Sequence, residues 1–397
     1  MEYMSLYKAF SFYKVEEFTK LYEQRFNSEA TIKLFLRINN QPSFLFFPNE
    51  LNNLITSIRI LDKRIEKIFN ELPDVAQKQY TKKSMIDEIE FNNSIEGVLS
   101  TRKEINEIIE DVKLKSKNQK RLKGIINKYI MLGNQENIKI ESAGDIRKIY
   151  DEMLYEEIKQ NDINNLPDGI LFRKEVVNVI NSSGKKIHTG MIPEEKIISS
   201  LDEAIKILNN ETYDALIRVA LFHYIFSYIH PFYDGNGRLN RFISSYYLSK
   251  SYIPLIGYRL SLTIKENLAD YYDAFKLTND IRNKGDITLF VIKFLKIILK
   301  AYEKTELYAL DKLKSLNECE EKIKNKISDE KLSNLIFILT QVELFSEFGL
   351  SINDLSSITE LSPNTVRAKI KILKEMNIIK EINVGKRIYY SANINNL

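Results

Sequence analysis

Two apolar runs, Leu216–Tyr228 and Leu239–Leu248, are joined by His-Pro-Phe-Tyr-Asp-Gly-Asn-Gly-Arg-Leu-Asn-Arg at residues His230–Arg241. Both runs read as apolar helices. A base, a carboxylate, an amide and two arginines placed between such helices are costly unless they hold something. Gly235, Asn236 and Gly237 let backbone N–H groups converge at the N-terminus of the second helix, which favours phosphate. Asp234 is a hard oxygen ligand suited to Mg²⁺. Arg238 and Arg241, three residues apart, share a helix face and can both reach a polyphosphate. His230 can take a proton as a neutral imidazole. Pro231 stiffens the turn and Phe232 anchors it in the core. Taken singly, Gly235 or Arg241 is an ordinary turn or surface residue; together the set calls for a polyphosphate and its metal.

The other two histidines read differently. His223 lies mid-helix among apolar residues as a satisfied core histidine. His188 lies in a hairpin, exposed or beside the substrate. No Cys or His cluster has zinc-ligand spacing. A chain of 397 residues can hold two or three domains. Its net charge of +4 is too small to argue for nucleic acid. The single cysteine, Cys319, excludes an internal disulfide framework and points to a reducing compartment. Met1–Phe18 lacks a basic region followed by an apolar core. The run Ile287–Leu299 is broken by Lys293 and Lys296 and is too short to span a bilayer. The expectation is a soluble, cytoplasmic protein without a membrane segment.

Met1–Phe47 shows no clean period. From Pro48, Leu51, Leu54, Ile55, Ile58, Leu61, Ile65 and Ile68 recur at helical spacing up to Leu72-Pro73. A second helix runs from about Lys82 to Ile95 and stops at Gly97. Thr101 and Glu104 have capping-box spacing for a third, with Ile105, Ile108, Ile109 and Val112 on one face. Lys120–Leu132 and Ser142–Tyr155 continue the pattern. After a polar break at Asn161–Gly169, Phe172–Ile180 and Lys186–His188 flank Ser182-Ser183-Gly184 as a hairpin. Pro193-Glu194-Glu195 opens another helix. Leu268–Leu277 and Ile287–Lys300 are helices around the loop Asn283–Asp286, Ala301–Lys324 is charged and helical, and Lys326–Glu330 is a linker. At the end, Leu332–Phe345 and Ile352–Ile358 are helices. Ser362-Pro363 starts a third, with Val366, Ile370 and Leu373 inward, and Ile378–Asn383 and Lys386–Ser391 flank Val384-Gly385 as a ribbon. That order is a winged helix-turn-helix. Arg367, Lys369, Lys371 and Lys374 on its third helix and Lys386-Arg387 on the wing could meet DNA phosphates, or the module could bind protein.

The stretch His230–Arg241 resembles the Fic signature His-x-Phe-x-Asp/Glu-Gly-Asn-Gly-Arg-x-x-Arg at every fixed position. Gly169, Phe172-Arg173, the hairpin, Tyr271-Tyr272 and Gly285-Asp286 are similarly laid out. The resemblance implies a mainly α fold: a Fic helical core with a small β-hairpin flap, plus the C-terminal winged helix-turn-helix. The expected divisions are 1–80 as an N-terminal helical region, 81–300 as inhibitory helix and Fic core, 301–329 as linker helix, and 330–397 as the winged module. It implies a protein AMP transferase that moves AMP from ATP to a Ser, Thr or Tyr hydroxyl and releases pyrophosphate. His230 is then the base, Asp234 the Mg²⁺ ligand, and Gly235, Asn236 and Gly237 the phosphate cradle. Arg238 and Arg241 hold the outer phosphates. The hairpin is either a flap that aligns a target segment or a plain hairpin over the core.

Asn92–Gly97 resembles the family's inhibitory motif Ser/Thr-x-x-x-Glu-Gly/Asn, with Asn92 where Ser or Thr is usual. Glu96 would pair with Arg241 in place of a phosphate. The partners implied are a target protein, the chain itself through self-modification, and a second copy, since such proteins commonly dimerise. Gly237 departs from the Lys common in kinase-like Doc members. The alternatives are removal of AMP, transfer of another phosphate-containing group, and a nucleotide-sensing DNA-binding regulator.

Overall fold

The computed structural model describes residues 3–114, 121–180, 186–384 and 387–397. Along the chain the elements are α1 (Leu6–Phe12), α2 (Val15–Phe26), β1 (Thr31–Ile38), β2 (Gln41–Phe46), α3 (Asn49–Glu71), α4 (Asp74–Ile95), α5 (Arg102–Leu114), α6 (Lys123–Gly133) and α7 (Ala143–Asn161). The hairpin β3 (Asn178–Ile180) and β4 (Lys186–Thr189) follows, then α8 (Glu194–Leu208), α9 (Ala215–Ile229), α10 (Asn236–Ser251), α11 (Leu260–Glu266) and α12 (Leu268–Thr278). The last elements are α13 (Thr288–Lys326), α14 (Glu330–Phe345), α15 (Ile352–Thr359), α16 (Pro363–Glu375), β5 (Ile379–Val384) and β6 (Arg387–Ala392). The fold is mainly helical, and each sheet among the described residues is a two-stranded antiparallel pair.

The chain forms two compact units: Met1–Ile60 with Asp87–Tyr302, and Leu61–Ile86 with Glu303–Leu397. The second unit takes in Leu61–Ile86 as well as the C-terminal stretch, and the division after Tyr302 falls within α13. In the second unit, Leu335, Leu339, Leu355, Val366, Leu373 and Ile378 are buried together, and the antiparallel pair β5–β6 follows the helices. Ser362 caps α16 by accepting from Thr365 N, with Pro363 in the first turn.

In the first unit α9 is apolar and buried over most of its surface: Leu216, Phe222, Tyr224, Phe226 and Ile229 are all 0% exposed. Burying side chains of this size contributes about 1.5–3 kcal/mol each, so α9 is the core element that the site hangs from. Asp214 caps its start by accepting from Leu216 N at 2.8 Å. Ser142 and Asp145 form the capping box of α7, and Thr101 caps α5 through Glu104 N at 3.1 Å. Among the described residues, no helix is long and apolar enough to cross a membrane.

Several boundaries differ from expectation. The unpatterned N-terminus folds as two helices and a hairpin whose turn residues Asn39 and Asn40 have φ of 48° and 64°. The helix α4 starts at Asp74 rather than near Lys82. Phe172 and Arg173 are not in a strand, and β3 begins only at Asn178. The cause is Glu194, whose carboxylate accepts from the N–H groups of Ile170, Leu171 and Phe172 at 3.0, 2.7 and 2.8 Å. Those donors are therefore unavailable to a strand ladder. The turns expected at Ser182-Ser183-Gly184 and Gly385, together with Lys120, Lys386 and the side chains of Val112 and Val384, lie outside the described residues.

Candidate active site

The helix α9 ends in a left-handed residue, His230 (φ 53°, ψ 64°), whose N–H reaches Phe226 O at 2.9 Å. Non-glycine residues rarely adopt that conformation, and the turn holds it from both sides. Phe232 is fully buried, stacked on Tyr150 at 3.8 Å between centroids and edge-on to Phe172 at 5.2 Å. The Asn236 side chain clamps the loop onto that anchor, its Oδ1 accepting from Phe232 N at 3.0 Å and its Nδ2 donating to Phe232 O at 2.8 Å. One donor and one acceptor of the amide are thus taken up in shaping the loop, which leaves its second N–H and its backbone N–H as donors. Gly235 has φ +83° and caps α10; a Cβ there would meet Leu154 Cδ1 at 2.7 Å.

Arg238 and Arg241 start from the first turns of α10. Arg238 is fully buried and pairs with the equally buried Glu157 at 2.6 Å, with its Nη2 3.6 Å from Asp234 Oδ1. Its Nε and Nη2 have no hydrogen-bond partner among the described residues. Arg241 donates from Nε to Asn92 Oδ1 at 2.7 Å, and from Nη2 to Asn92 O at 2.9 Å and Glu96 Oε1 at 2.8 Å. A different carboxylate engages each, Glu157 for Arg238 and Glu96 for Arg241.

Glu96 lies directly over the start of α10: a Cβ on Gly237 would stand 2.0 Å from its Oε1. A carboxylate therefore sits where the helix N-terminus favours an anion. Burial works against ionising Glu96, but Arg241 overcomes it and holds the carboxyl below its ordinary range. Asn92, at the position where the sequence departs from Ser or Thr, is fully buried and also donates to Tyr129 OH at 3.0 Å and Arg238 O at 3.2 Å.

Burial, then the charges of His188 and Arg173, push the His230 imidazole down to about 4, with Glu96 pulling the other way. It is neutral at pH 7 and can accept a proton. His188 is half-buried, with Nε2 2.6 Å from Tyr228 O. His223 is a core histidine, with Nδ1 2.8 Å from Ser244 Oγ and Nε2 2.7 Å from the Tyr271 hydroxyl. Ser244 donates to Asn240 O, which leaves its oxygen to accept from Nδ1 and makes Tyr271 the donor to Nε2. Burial raises the Tyr271 phenol, and the charge of Arg241 works against that rise. Asn92, Glu157 and Tyr271 were not singled out by sequence reasoning as partners of the arginines. Only Asn92 carried a signal, through its place in the motif.

Among the described residues no cluster of three His, Cys, Asp or Glu side chains could hold a metal by itself. Asp234, with its side chain 41% exposed, suits an ion that takes one carboxylate and completes its shell from phosphate and water. The unpartnered N–H groups of Arg238 beside it fit the same phosphate.

A helical core carrying this turn at the head of a buried helix defines a Fic domain, and residues 141–248 match the profile of the Fic/DOC family. The chain matches that family over this stretch. It is similar to protein adenylyltransferase fic-1 of Caenorhabditis elegans, 27% identical over 143 residues, covering 34% of this chain and 26% of that protein. Protein adenylyltransferase Fic of Drosophila grimshawi is 37% identical over 101 residues, 25% of this chain and 18% of that protein. The Nematostella vectensis protein of the same name is 24% identical over 253 residues, 62% of this chain and 53% of its own. The chain thus spans between about a fifth and a half of the length of these relatives. A crystal structure of a Fic family protein from Desulfovibrio desulfuricans G20 superposes with a TM-score of 0.53 at 19% identity, covering 87% of this chain and 97% of that one. That likeness shows the fold.

Proposed function

We propose that the chain is a self-inhibited protein AMP transferase. The observation that carries this reading is the Glu96 carboxylate, paired with Arg241 and resting on Gly237 at the head of α10, in the same site as a neutral His230. The names of the curated relatives, protein adenylyltransferase, support the same chemistry. A Ser, Thr or Tyr hydroxyl of a target protein attacks the α-phosphorus of ATP. Its O–H proton passes to His230, the new O–P bond forms, and the bond to the β-phosphate breaks to release pyrophosphate.

Gly235, Asn236 and Gly237 offer backbone N–H groups to the phosphates, and Arg238 its unpartnered N–H groups. Arg241 takes the outermost phosphate once Glu96 leaves it. Asp234 would hold Mg²⁺, which when bound supplies positive charge to the phosphate oxygens. The hairpin β3–β4 is the flap that aligns the target by main-chain hydrogen bonds. The buried thiol of Cys319 suits a reducing compartment, and we place the protein in the cytoplasm.

We read the last unit as a winged helix that binds protein, rather than as a DNA reader. Three cations of α16 are already engaged: Lys369 with Asp329 at 3.2 Å, Lys374 with Glu381 at 2.6 Å, and Arg367 with Asn364 at 2.9 Å. Parallel incubations with α-labelled and γ-labelled ATP, followed by intact-mass measurement, test the activity. AMP transfer labels the protein only from the α-position and adds the mass of AMP. Label from the γ-position, or no adduct in the Glu96→Gly variant, overturns it.

A further inference from the structure

We propose that Arg173 is a positioning residue for this reaction: its guanidinium fastens both limbs of the β3–β4 hairpin to the backbone of His230, and so sets where the proton acceptor stands relative to an aligned target. The inference rests on the AMP-transfer reading.

Arg173 is 0% exposed and forms no ion pair with a carboxylate among the described residues. Its donors go to backbone carbonyls of four separate residues. Nε reaches His230 O at 2.9 Å and Nη2 reaches Ile229 O at 3.4 Å, the last acceptors at the end of α9. Nη1 reaches Glu175 O at 2.7 Å, on the limb leading into β3. Nη2 also reaches Met191 O at 2.9 Å, on the limb leaving β4. A helix C-terminus presents unpaired carbonyls and partial negative charge, which suits a buried cation lacking a carboxylate. A planar fork with fixed donor directions can join these points, and a lysine ammonium cannot.

The backbone repeats the same ties. Arg173 N donates to Pro231 O, Met191 N to Ile229 O, and Gly190 N to Val177 O. Gly190 makes room for the arrangement: a Cβ there would stand 2.2 Å from Arg173 Nη2 and 3.3 Å from His230 Cβ. The left-handed conformation of His230 is therefore held by its own amide on one side and by Arg173 at its carbonyl on the other. The charged and titratable groups facing the imidazole are His188 from β4, Arg173 itself and Glu96. Removing the Arg173 charge takes away one of the two that oppose protonation.

The test uses the full chain carrying Glu96→Gly, with Arg173→Gln, Arg173→Lys and Gly190→Ala added singly. Self-modification from α-labelled ATP should fall on the order of 100-fold in each, the loss expected for ångström-scale misplacement of a reacting group. The ATP dissociation constant should stay within about twofold, because the proposed phosphate contacts lie on α10. Imidazole ¹⁵N NMR supplies a readout that needs no catalysis: the His230 titration should move to higher pH in Arg173→Gln and stay in place in Arg173→Lys. Unchanged self-modification together with an unmoved His230 titration in Arg173→Gln overturns the proposal. Gly190→Ala decides it by self-modification if the arginine variants do not fold. Absence of self-modification in the Glu96→Gly parent sinks the AMP-transfer reading instead, and the NMR titration still judges Arg173.

Discussion

Replacing Glu96 by glycine should convert a weak ATP site into a strong one, and the size of the change follows from its contact with Arg241. The pair meets at 2.8 Å with Arg241 1% and the Glu96 side chain 32% exposed. A charge-assisted hydrogen bond contributes about 1.5–3 kcal/mol when buried, and partial exposure places this one near the middle, at about 2 kcal/mol. An incoming γ-phosphate must displace it, so removing it should tighten ATP binding about 30-fold, since about 1.4 kcal/mol is a factor of ten. Arg241 does not collapse in the variant, because Asn92 still accepts from its Nε and Nη2. The carboxylate oxygen that stands over Gly237 is also cleared, which opens the head of α10. Calorimetric titration with ATP and Mg²⁺, run beside α-label incorporation, reads both consequences. The neutral Glu96→Gln variant separates charge from bulk and should recover part of the gain. A dissociation constant that moves by less than about twofold in both variants would refute the reasoning.

Three further outcomes are expected. His230→Ala should lower transfer by about 10²–10⁴-fold while leaving ATP affinity within about twofold; near-normal labelling removes His230 as the base. Asn92→Ala, added to Glu96→Gly, should weaken ATP binding about tenfold and cost on the order of 1–3 kcal/mol in chemical denaturation, because Tyr129 and Arg241 lose a buried partner; unchanged ATP affinity would show that Arg241 needs no second support. Glu88, fully buried, is pushed up to about 7 by desolvation against the hydrogen bonds of Ser261 and Ser245 and the charge of Arg241. Its raised value means that the folded state keeps a proton the unfolded chain has lost. Its contribution is whole below the ordinary carboxylate range and disappears as pH climbs towards about 7. Thermal midpoints should therefore drop between pH 5 and pH 7.5 in the wild type and less in Glu88→Gln, and parallel curves for the two would exclude Glu88 as the source.

What the sequence made legible was whatever residue type and spacing alone dictate. The apolar helices around His230–Arg241, the caps at Ser142 and Ser362, and the pairing of Glu96 with Arg241 all have local or motif-level signals. The N-terminal hairpin has a local signal too: Asn39-Asn40 stands between two strand-like runs, and a two-residue turn with both φ positive favours asparagine. Arg173 stood out only through its place in the family-like layout, and its partners had no signal, because they are backbone carbonyls of residues spread from 175 to 230. Glu157 carries no signal in the sequence, and only the fold buries it against Arg238. The separate carboxylates of the two arginines were invisible for the same reason, since spacing gives a shared face and only tertiary partners give a direction.

The amide of Asn236 closes the loop on Phe232 through its own two ends, with no ligand required. The ordering of this loop is therefore completed when the chain folds rather than when nucleotide arrives. Nucleotide association should then carry little conformational entropy cost from residues 232–238, and their amide hydrogens should exchange as slowly before binding as after it. On the proposed self-inhibition, nucleotide must wait for Glu96 to move aside, so a slow step in association should report on the end of α4, with the turn itself a fixed mould.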